Sequence, residues 1–306
     1  MNEITIVSAF FNIKRENWKG FSRSEELYFE YFKGWARLQN KIVVYVESEI
    51  MKQKILNFRS LIGLSDQTKV VLIDNCLAIA PDLLESIRGA VSSIHEKYRL
   101  FPHNPEVWNA EYDYIMLLKM WCVSDAVEKG LASGMVAWID FGYNHGGDVI
   151  DINSDFNFLW RYNFPEKINI FLIQDIDNRP IFDIVLSMDT YIMGMAIVGV
   201  DYLWRDFWLL MKQSMIELNN CGMIDDDQNV ILMCYRKRPD IFCLHRSSWQ
   251  LPLKQFGGDH LLLKSKKNDS IIMSKVKKVK RKLFIYKRSA ELCYRICMLM
   301  ANRIIH

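Results

Sequence analysis

Apolar residues in the first half of the chain alternate between two patterns. Short unbroken runs at 4–11, 42–46, 70–73 and 135–140 have the length and bounded character of buried strands. Between them, 24–38, 50–61, 83–98 and 109–128 repeat apolar positions at helical spacing. In the last of these, Tyr112, Ile115, Leu118, Lys119, Cys122 and Ala126 fall near one stripe, and Gly130 supplies the stop. Strand and helix in alternation predict an α/β fold whose sheet is largely parallel. The second half is less regular: strands are expected at 168–173 and 191–198, helices at 203–218 and 226–235, and a late strand at 241–244 that ends beside His245. Asp225, Asp226 and Asp227 suit the cap and first turn of the helix that begins there. No internal repeat and no Gly/Ser linker precedes residue 264.

One run ends differently from the others. Val136-Ala137-Trp138-Ile139-Asp140-Phe141-Gly142 passes from a buried strand straight into a carboxylate, with a glycine two residues on. Open α/β sheets bind ligands at the C-terminal ends of their strands, so Asp140 has two readings. It is an ordinary turn residue, or it holds a divalent cation that bridges the carboxylate to phosphate oxygens, because carboxylate and phosphate repel each other without one.

With 306 residues, 50% of them hydrophobic, the chain can build one large α/β domain or two small ones and is not a disordered protein. No apolar run reaches the ~18 residues of a membrane span; the longest, at 184–200, is interrupted by Ser187, Asp189 and Thr190. An early strand where a leader would carry a basic and then apolar segment points to a cytoplasmic protein. The seven cysteines are odd in number and scattered, and are expected as reduced core residues. Cys293 and Cys297 stand one helical turn apart, but no second Cys/His pair is near enough to complete four ligands.

The net charge of +3 conceals an asymmetry: from Lys264 to Arg303 there are thirteen Lys and Arg against Asp269 and Glu291, which leaves the rest of the chain at about −8. In this tail Val276, Val279, Leu283, Tyr286, Ala290, Cys293, Cys297, Met300 and Ile304 recur at helical spacing among the cations. Such a basic amphipathic helix either lies on an anionic membrane, where each near-surface Lys or Arg contributes about 1 kcal/mol, or packs on its own domain with its basic face in solvent. Few aromatics interleave the cations, which argues against nucleic acid.

The order of these parts carries a resemblance. A first strand ending in Ser8-Ala9-Phe10-Phe11 with Arg15 after it, a third ending in Asp74, a helix carrying Lys119, Asp140 at a strand end and, about ninety residues later, Asp226-Asp227-Gln228 together resemble a nucleotide-sugar glycosyltransferase of the GT-A fold. More closely, the Trp108-Asn109-Ala110-Glu111-Tyr112 to Trp121 helix and the Trp138 to Gly142 strand are similar to the HtrL/YibB family of bacterial proteins found around lipopolysaccharide genes, over roughly residues 3–255. The resemblance implies a GT-A-like, Rossmann-type α/β domain over residues 1–262, with a mixed, mostly parallel sheet flanked by helices, and a membrane-associating basic tail over 263–306. It implies that Ala9, Phe10 and Phe11 line a uridine pocket, that Arg15 faces phosphate or base, and that Lys119 neutralises a diphosphate. Arg15 and Lys119 each also have a plain reading as solvated surface charges.

Asp140 matches the first acid of the Asp-x-Asp signature of these enzymes, and Gly142 stands where the second would be. Another ligand is then expected, either His245 or His145 of Tyr143-Asn144-His145-Gly146-Gly147; imidazole with carboxylate and phosphate oxygens suits Mn²⁺, with Mg²⁺ as the alternative. Without one, the enzyme depends less on metal than its relatives. Asp226-Asp227-Gln228 resembles the corner that reads the hydroxyls of the donor sugar, to which carboxylate and amide both accept and donate. In an inverting reaction Asp227 is the first choice of base and Asp226 the second; in a retaining one Gln228 faces the anomeric carbon.

The resemblance thus implies a hexosyltransferase that moves a sugar, galactose among the common ones, from a UDP-sugar to a lipid-linked lipopolysaccharide or O-antigen saccharide at the inner face of the cell membrane. The alternative is a non-catalytic saccharide- or nucleotide-sugar-binding protein of degenerate GT-A fold. A nicotinamide-dependent dehydrogenase is disfavoured, because no Gly-x-Gly-x-x-Gly follows the first strand.

Overall fold

The computed structural model describes residues 3–91 and 97–264, together with helical positions scattered between 279 and 294. Seven strands form one sheet: β1 (Ile4–Phe10), β2 (Ile42–Val46), β3 (Thr68–Leu72), β4 (Met135–Ile139), β5 (Ile168–Leu172), β6 (Ala196–Val200) and β7 (Phe242–Arg246). Their order across the sheet is β3-β2-β1-β4-β6-β5-β7. Strand β6 runs antiparallel to β4 and β5, and the other neighbours are parallel. The fold is therefore α/β with a mixed, mostly parallel sheet, as the alternation of strand and helix patterns implies.

Every residue of β2, β4, β5 and β6 is buried, because both faces of the sheet are covered. One face packs on helices α3 (Pro81–Ala90), α5 (Ala110–Glu128), α7 (Trp204–Asn220) and α8 (Asp227–Lys237). The other packs on α1 (Glu25–Trp35), α2 (Glu49–Leu61) and a loop carrying Phe156, Trp160 and Phe164. Period-two alternation sorts the side chains: Val7, Val136 and Trp138 join the first core, Ile6, Ala137 and Ile139 the second. Helix α5 is buried nearly all round, through Tyr114, Leu117, Leu118, Met120, Cys122 and Val123, which places Lys119 inside the protein.

Local chemistry sets the helix starts. The side chains of Ser24, Ser48 and Asn109 accept from the N–H groups of Leu27, Met51 and Tyr112 at 3.2, 3.3 and 2.9 Å. Arg59, fully buried, ties the end of α1 to the start of β2: its guanidinium donates to the carbonyls of Ala36, Leu38 and Asn40 at 2.8, 2.6 and 3.0 Å, and to Thr68 Oγ1 at 2.8 Å. Burial pushes its pKa down to about 10, still far above neutral pH.

Several elements differ from the sequence reading. The helix expected at 83–98 is described from Pro81 to Ala90, where Val91 turns extended; residues 92–96 of that expectation lie outside the described residues. The strand expected at 191–198 starts only at Ala196. Tyr191 to Met195 are apolar but follow an irregular path, with Met193 N–H on Phe171 O and Asp140 N–H on Met195 O. Three short helices, α4 (Pro105–Trp108), α6 (Ile181–Ser187) and α9 (Pro252–Gln255), are too short to show a period. Cys76, Cys122 and Cys234 are buried free thiols as expected, whereas Cys221 and Cys293 are free but exposed.

Of the amphipathic stripe in the tail, Val279, Leu283 and Tyr286 are helical and 56%, 62% and 71% exposed. Ala290 and Cys293 are helical and exposed too, while Val276, Cys297, Met300 and Ile304 lie outside the described residues. Among the described residues no helix is long and apolar enough to cross a membrane.

Candidate active site

The strand order turns back between β1 and β4, and a sheet opens a crevice at the C-terminal ends of two such strands. A cavity of about 520 Å³ lies there. Ala9 and Phe10 at the end of β1, Phe11 and Arg15 after it, Lys119 of α5, Asp140 and Gly142 after β4, and Asp226, Asp227 and Gln228 at the start of α8 all line it. Residues separated by more than two hundred positions thus meet around one space.

At the base of the cavity three charges form a cluster, with Lys119 and Asp227 buried and Asp140 half-buried. Lys119 Nζ sits 3.0 Å from Asp140 Oδ1 and 2.7 Å from Asp227 Oδ2. The indole N–H of Trp138 donates to the same Asp140 oxygen at 2.7 Å, since residues two apart on a strand face the same way. Burial works against the Lys119 charge, but Asp140 and Asp227 outweigh it and hold the ammonium proton more tightly than usual. Gly194 closes the cluster from the irregular segment before β6: its carbonyl lies 3.4 Å from Lys119 Nζ, and a methyl group on its Cα would fall 2.6 Å from Asp227 Cγ. Only a residue without a side chain fits there.

Asp226 caps α8, accepting from Gln228 N–H at 3.0 Å, and lines the cavity with no ion-pair partner among the described residues. Burial, with Asp227 and Asp225 beside it, raises its pKa well above the usual carboxylate range. Behind it Asp113, Asp225 and Glu106 are likewise raised by burial. Arg99 is the cation of this cluster, 3.6 Å from Asp225, and its guanidinium also donates to the carbonyls of Val185, Glu106 and Ile224. Both carboxyl oxygens of Asp113 lack a hydrogen-bond partner among the described residues. Asp227, the first choice of base on sequence grounds, is ion-paired with Lys119, whereas Asp226, the second choice, is not.

The upper wall is aromatic. Phe10 packs on Tyr28 and Phe141 with ring centroids 5.5 and 5.2 Å apart. Arg15 donates to Tyr28 Oη at 2.9 Å and to Phe21 O at 3.1 Å, and lies over the rings of Trp18 and Tyr112. It is neither free in solvent nor fully satisfied. Arg23, Tyr28, Tyr112, Trp249 and Gln250 line the cavity although the sequence did not single them out for it. Arg23 shows no signal beyond its charge, and Trp249 lies past the last strand in a loop whose path only tertiary packing sets.

The two histidines separate. His145 lines the cavity, with Arg23 Nη1 at 3.4 Å and Gln250 Nε2 at 3.2 Å, and burial followed by the charge of Arg23 lowers its pKa. His245 is not brought to the site. Its Nε2 meets Asn169 Oδ1 at 2.8 Å among the rings of Phe164, Phe171 and Phe256. Strand β7 stands three strand positions from β4, roughly 14 Å at the usual spacing of about 4.8 Å, which is too far for a shared ligand. Gly142 also has a local reason. A Cβ there would lie 3.2 Å from the Tyr28 ring, so a second acid of an Asp-x-Asp pair would need that ring to give way slightly.

A second cavity of about 620 Å³ adjoins the first and shares Tyr112, Asp226, Gln228 and Trp249 with it. Asn104, Glu106, Gln174, Thr190, Asn229 and Ser248 make the rest of its lining largely polar. Trp249, 40% exposed, offers a ring face at the boundary.

Fold and site together define an α/β crevice protein with a buried ammonium clamped between two acids at the strand switch. The chain belongs to the HtrL/YibB family, described as bacterial protein of unknown function, whose sequence profile matches residues 2–257. It is 34% identical over 269 residues to Protein HtrL of Escherichia coli (strain K12), an alignment that covers 80% of this chain and 89% of that protein.

Proposed function

We propose that the protein is a glycosyltransferase that takes a hexose, galactose being our choice among the common ones, from a UDP-sugar and adds it to a lipid-linked lipopolysaccharide or O-antigen saccharide. One observation carries this reading: the end of β1, Lys119, Asp140 and the Asp226–Gln228 corner converge on a single cavity at the strand switch. The aromatic wall of Phe10, Tyr28 and Phe141 suits a nucleobase, and the cations suit the diphosphate. Gln228 and Asp226 suit sugar hydroxyls. The adjoining polar cavity, with Trp249 as a stacking face, suits an acceptor saccharide.

The chemistry follows from where charge moves. The leaving diphosphate gains negative charge as the glycosidic bond breaks, so cations fixed beside it lower the barrier. In a displacement from the opposite face, the acceptor hydroxyl loses its proton to the ionised form of Asp226, which borders both cavities. Burial and the neighbouring acids hold its proton more tightly than in an ordinary carboxyl, so the base is available only once that proton has left. The exposed apolar and basic residues of the tail support contact with an anionic membrane, where a lipid-linked acceptor resides.

The test is a panel of nucleotide sugars, followed by thermal stabilisation and by release of free UDP. Stabilisation by uridine donors together with UDP release fits a transferase. Failure of every nucleotide sugar to bind removes the reading. Binding with no UDP release, with or without saccharide acceptors, selects the non-catalytic alternative, which the missing second acid at Gly142 favours.

A further inference from the structure

The GT-A resemblance implies a divalent cation on Asp140, and the residues present do not fit one. Asp140 Oδ1 already accepts from both Lys119 and Trp138. Asp227, the other acid at the base of the cavity, gives Oδ2 to Lys119. Gly142 offers no side-chain oxygen and His245 lies in another part of the sheet. Among the described residues no three His, Cys, Asp or Glu side chains are arranged as a ligand set. What does lie between the two acids is the Lys119 ammonium, within 3.0 Å of each.

We propose that this site binds the diphosphate of its donor without a divalent cation, with Lys119 occupying the position between Asp140 and Asp227 and the guanidinium groups of Arg15 and Arg23 meeting the phosphate oxygens. The inference rests on the donor class proposed above. Lys119 cancels one of the two carboxylate charges at the base of the cavity, which would otherwise repel a diphosphate. Arg15 and Arg23 line the same cavity and have no carboxylate partner among the described residues: Arg15 is held by Tyr28 Oη and Phe21 O, and Arg23 approaches His145. Each guanidinium has five N–H donors, more than these contacts use, and its fork matches two phosphate oxygens. The aromatic rings beside them, Trp18 and Tyr112 at Arg15 and Tyr28 at Arg23, hold both guanidiniums in place before a ligand arrives.

The experiment titrates the full chain with UDP, once in excess EDTA and once in excess Mn²⁺. Affinities that agree within about twofold support the inference. Binding confined to the Mn²⁺ arm overturns it and leaves the donor assignment standing. Absence of binding in both arms, for UDP and for UDP-sugars alike, overturns the donor assignment itself and this inference with it. In EDTA, Arg15→Gln and Arg23→Gln are each expected to weaken UDP binding by about tenfold, the worth of a charge-assisted contact, and unchanged affinity in both variants overturns the inference. Lys119→Ala frees Asp140 and Asp227 for a cation, so its UDP affinity is expected to become Mn²⁺-dependent; affinity equal to that of the unaltered protein in both arms overturns the role of Lys119. Should that variant fail to fold, the paired titrations of the unaltered chain still decide.

Discussion

Replacing Gly194 by alanine adds one methyl group and changes no charge, yet it should dismantle the charged cluster. The methyl carbon would lie 2.6 Å from both Cγ and Oδ1 of Asp227 and closer still to Oδ2. An ordinary contact needs about 3.5 Å, so the carboxylate has to move by about 1 Å. Asp227 is the first residue of α8, held by the helix behind it, so the shift falls on the side chain and opens its 2.7 Å contact with Lys119. Overpacking costs about 1–3 kcal/mol and breaking a buried ion pair about 3–5, but Lys119 keeps Asp140, so we expect a loss of about 3 kcal/mol. At about 2.1 cal/mol/K per residue of unfolding entropy, that lowers Tm by roughly 5 °C. UDP affinity should fall as well, since the cavity loses its fixed base. The assay is thermal unfolding followed by circular dichroism, repeated in an Asp227→Ser background, where the added methyl meets space and should cost less than about 0.5 kcal/mol. An unchanged Tm for Gly194→Ala, or equal costs in the two backgrounds, would refute the packing argument.

Other consequences follow from the same geometry. Asp113 is fully buried with both oxygens unpaired among the described residues and its pKa raised by burial and then by Asp225 and Asp226, so it stays protonated in the fold while the unfolded chain ionises above about pH 4. Folding stability then falls as pH rises through that window by about 1.4 kcal/mol per pH unit from this group, and Asp113→Asn should remove the slope; parallel stability curves for the two proteins between pH 4 and neutrality would count against it. Arg59→Met should cost about 4 kcal/mol in urea unfolding, because the buried carbonyls of Ala36, Leu38 and Asn40 lose their donor; a loss below about 1 kcal/mol would mean that other donors replace it. Leu283→Asp with Tyr286→Asp should reduce sedimentation with anionic vesicles without changing Tm, since both side chains are exposed. Equal sedimentation would remove the tail from membrane contact.

What the sequence determined by itself is local. Strand β2 occupies the residues its apolar run predicts, β1 and β4 each stop one residue short of theirs, and Asp226 caps α8 as an Asp before a helical pattern should. Burial period and capping chemistry depend on neighbours a few positions away, so they are written into the chain directly. The candidate site was legible only as separate ends: Phe10, Lys119, Asp140 and Gln228 stood out for their residue type or their place in a resemblance. That they share one cavity was decided by strand order, which sets β1 beside β4 and carries β7, with His245, to the far edge. Tertiary packing also turned the apolar run from Tyr191 to Met195 into an irregular segment instead of a strand, and brought Gly194 against Asp227. Periodicity reports that such a run is buried; it does not report what the run is buried against, and the contacts between Lys119 and its two acids span 21 residues to Asp140 and 108 to Asp227.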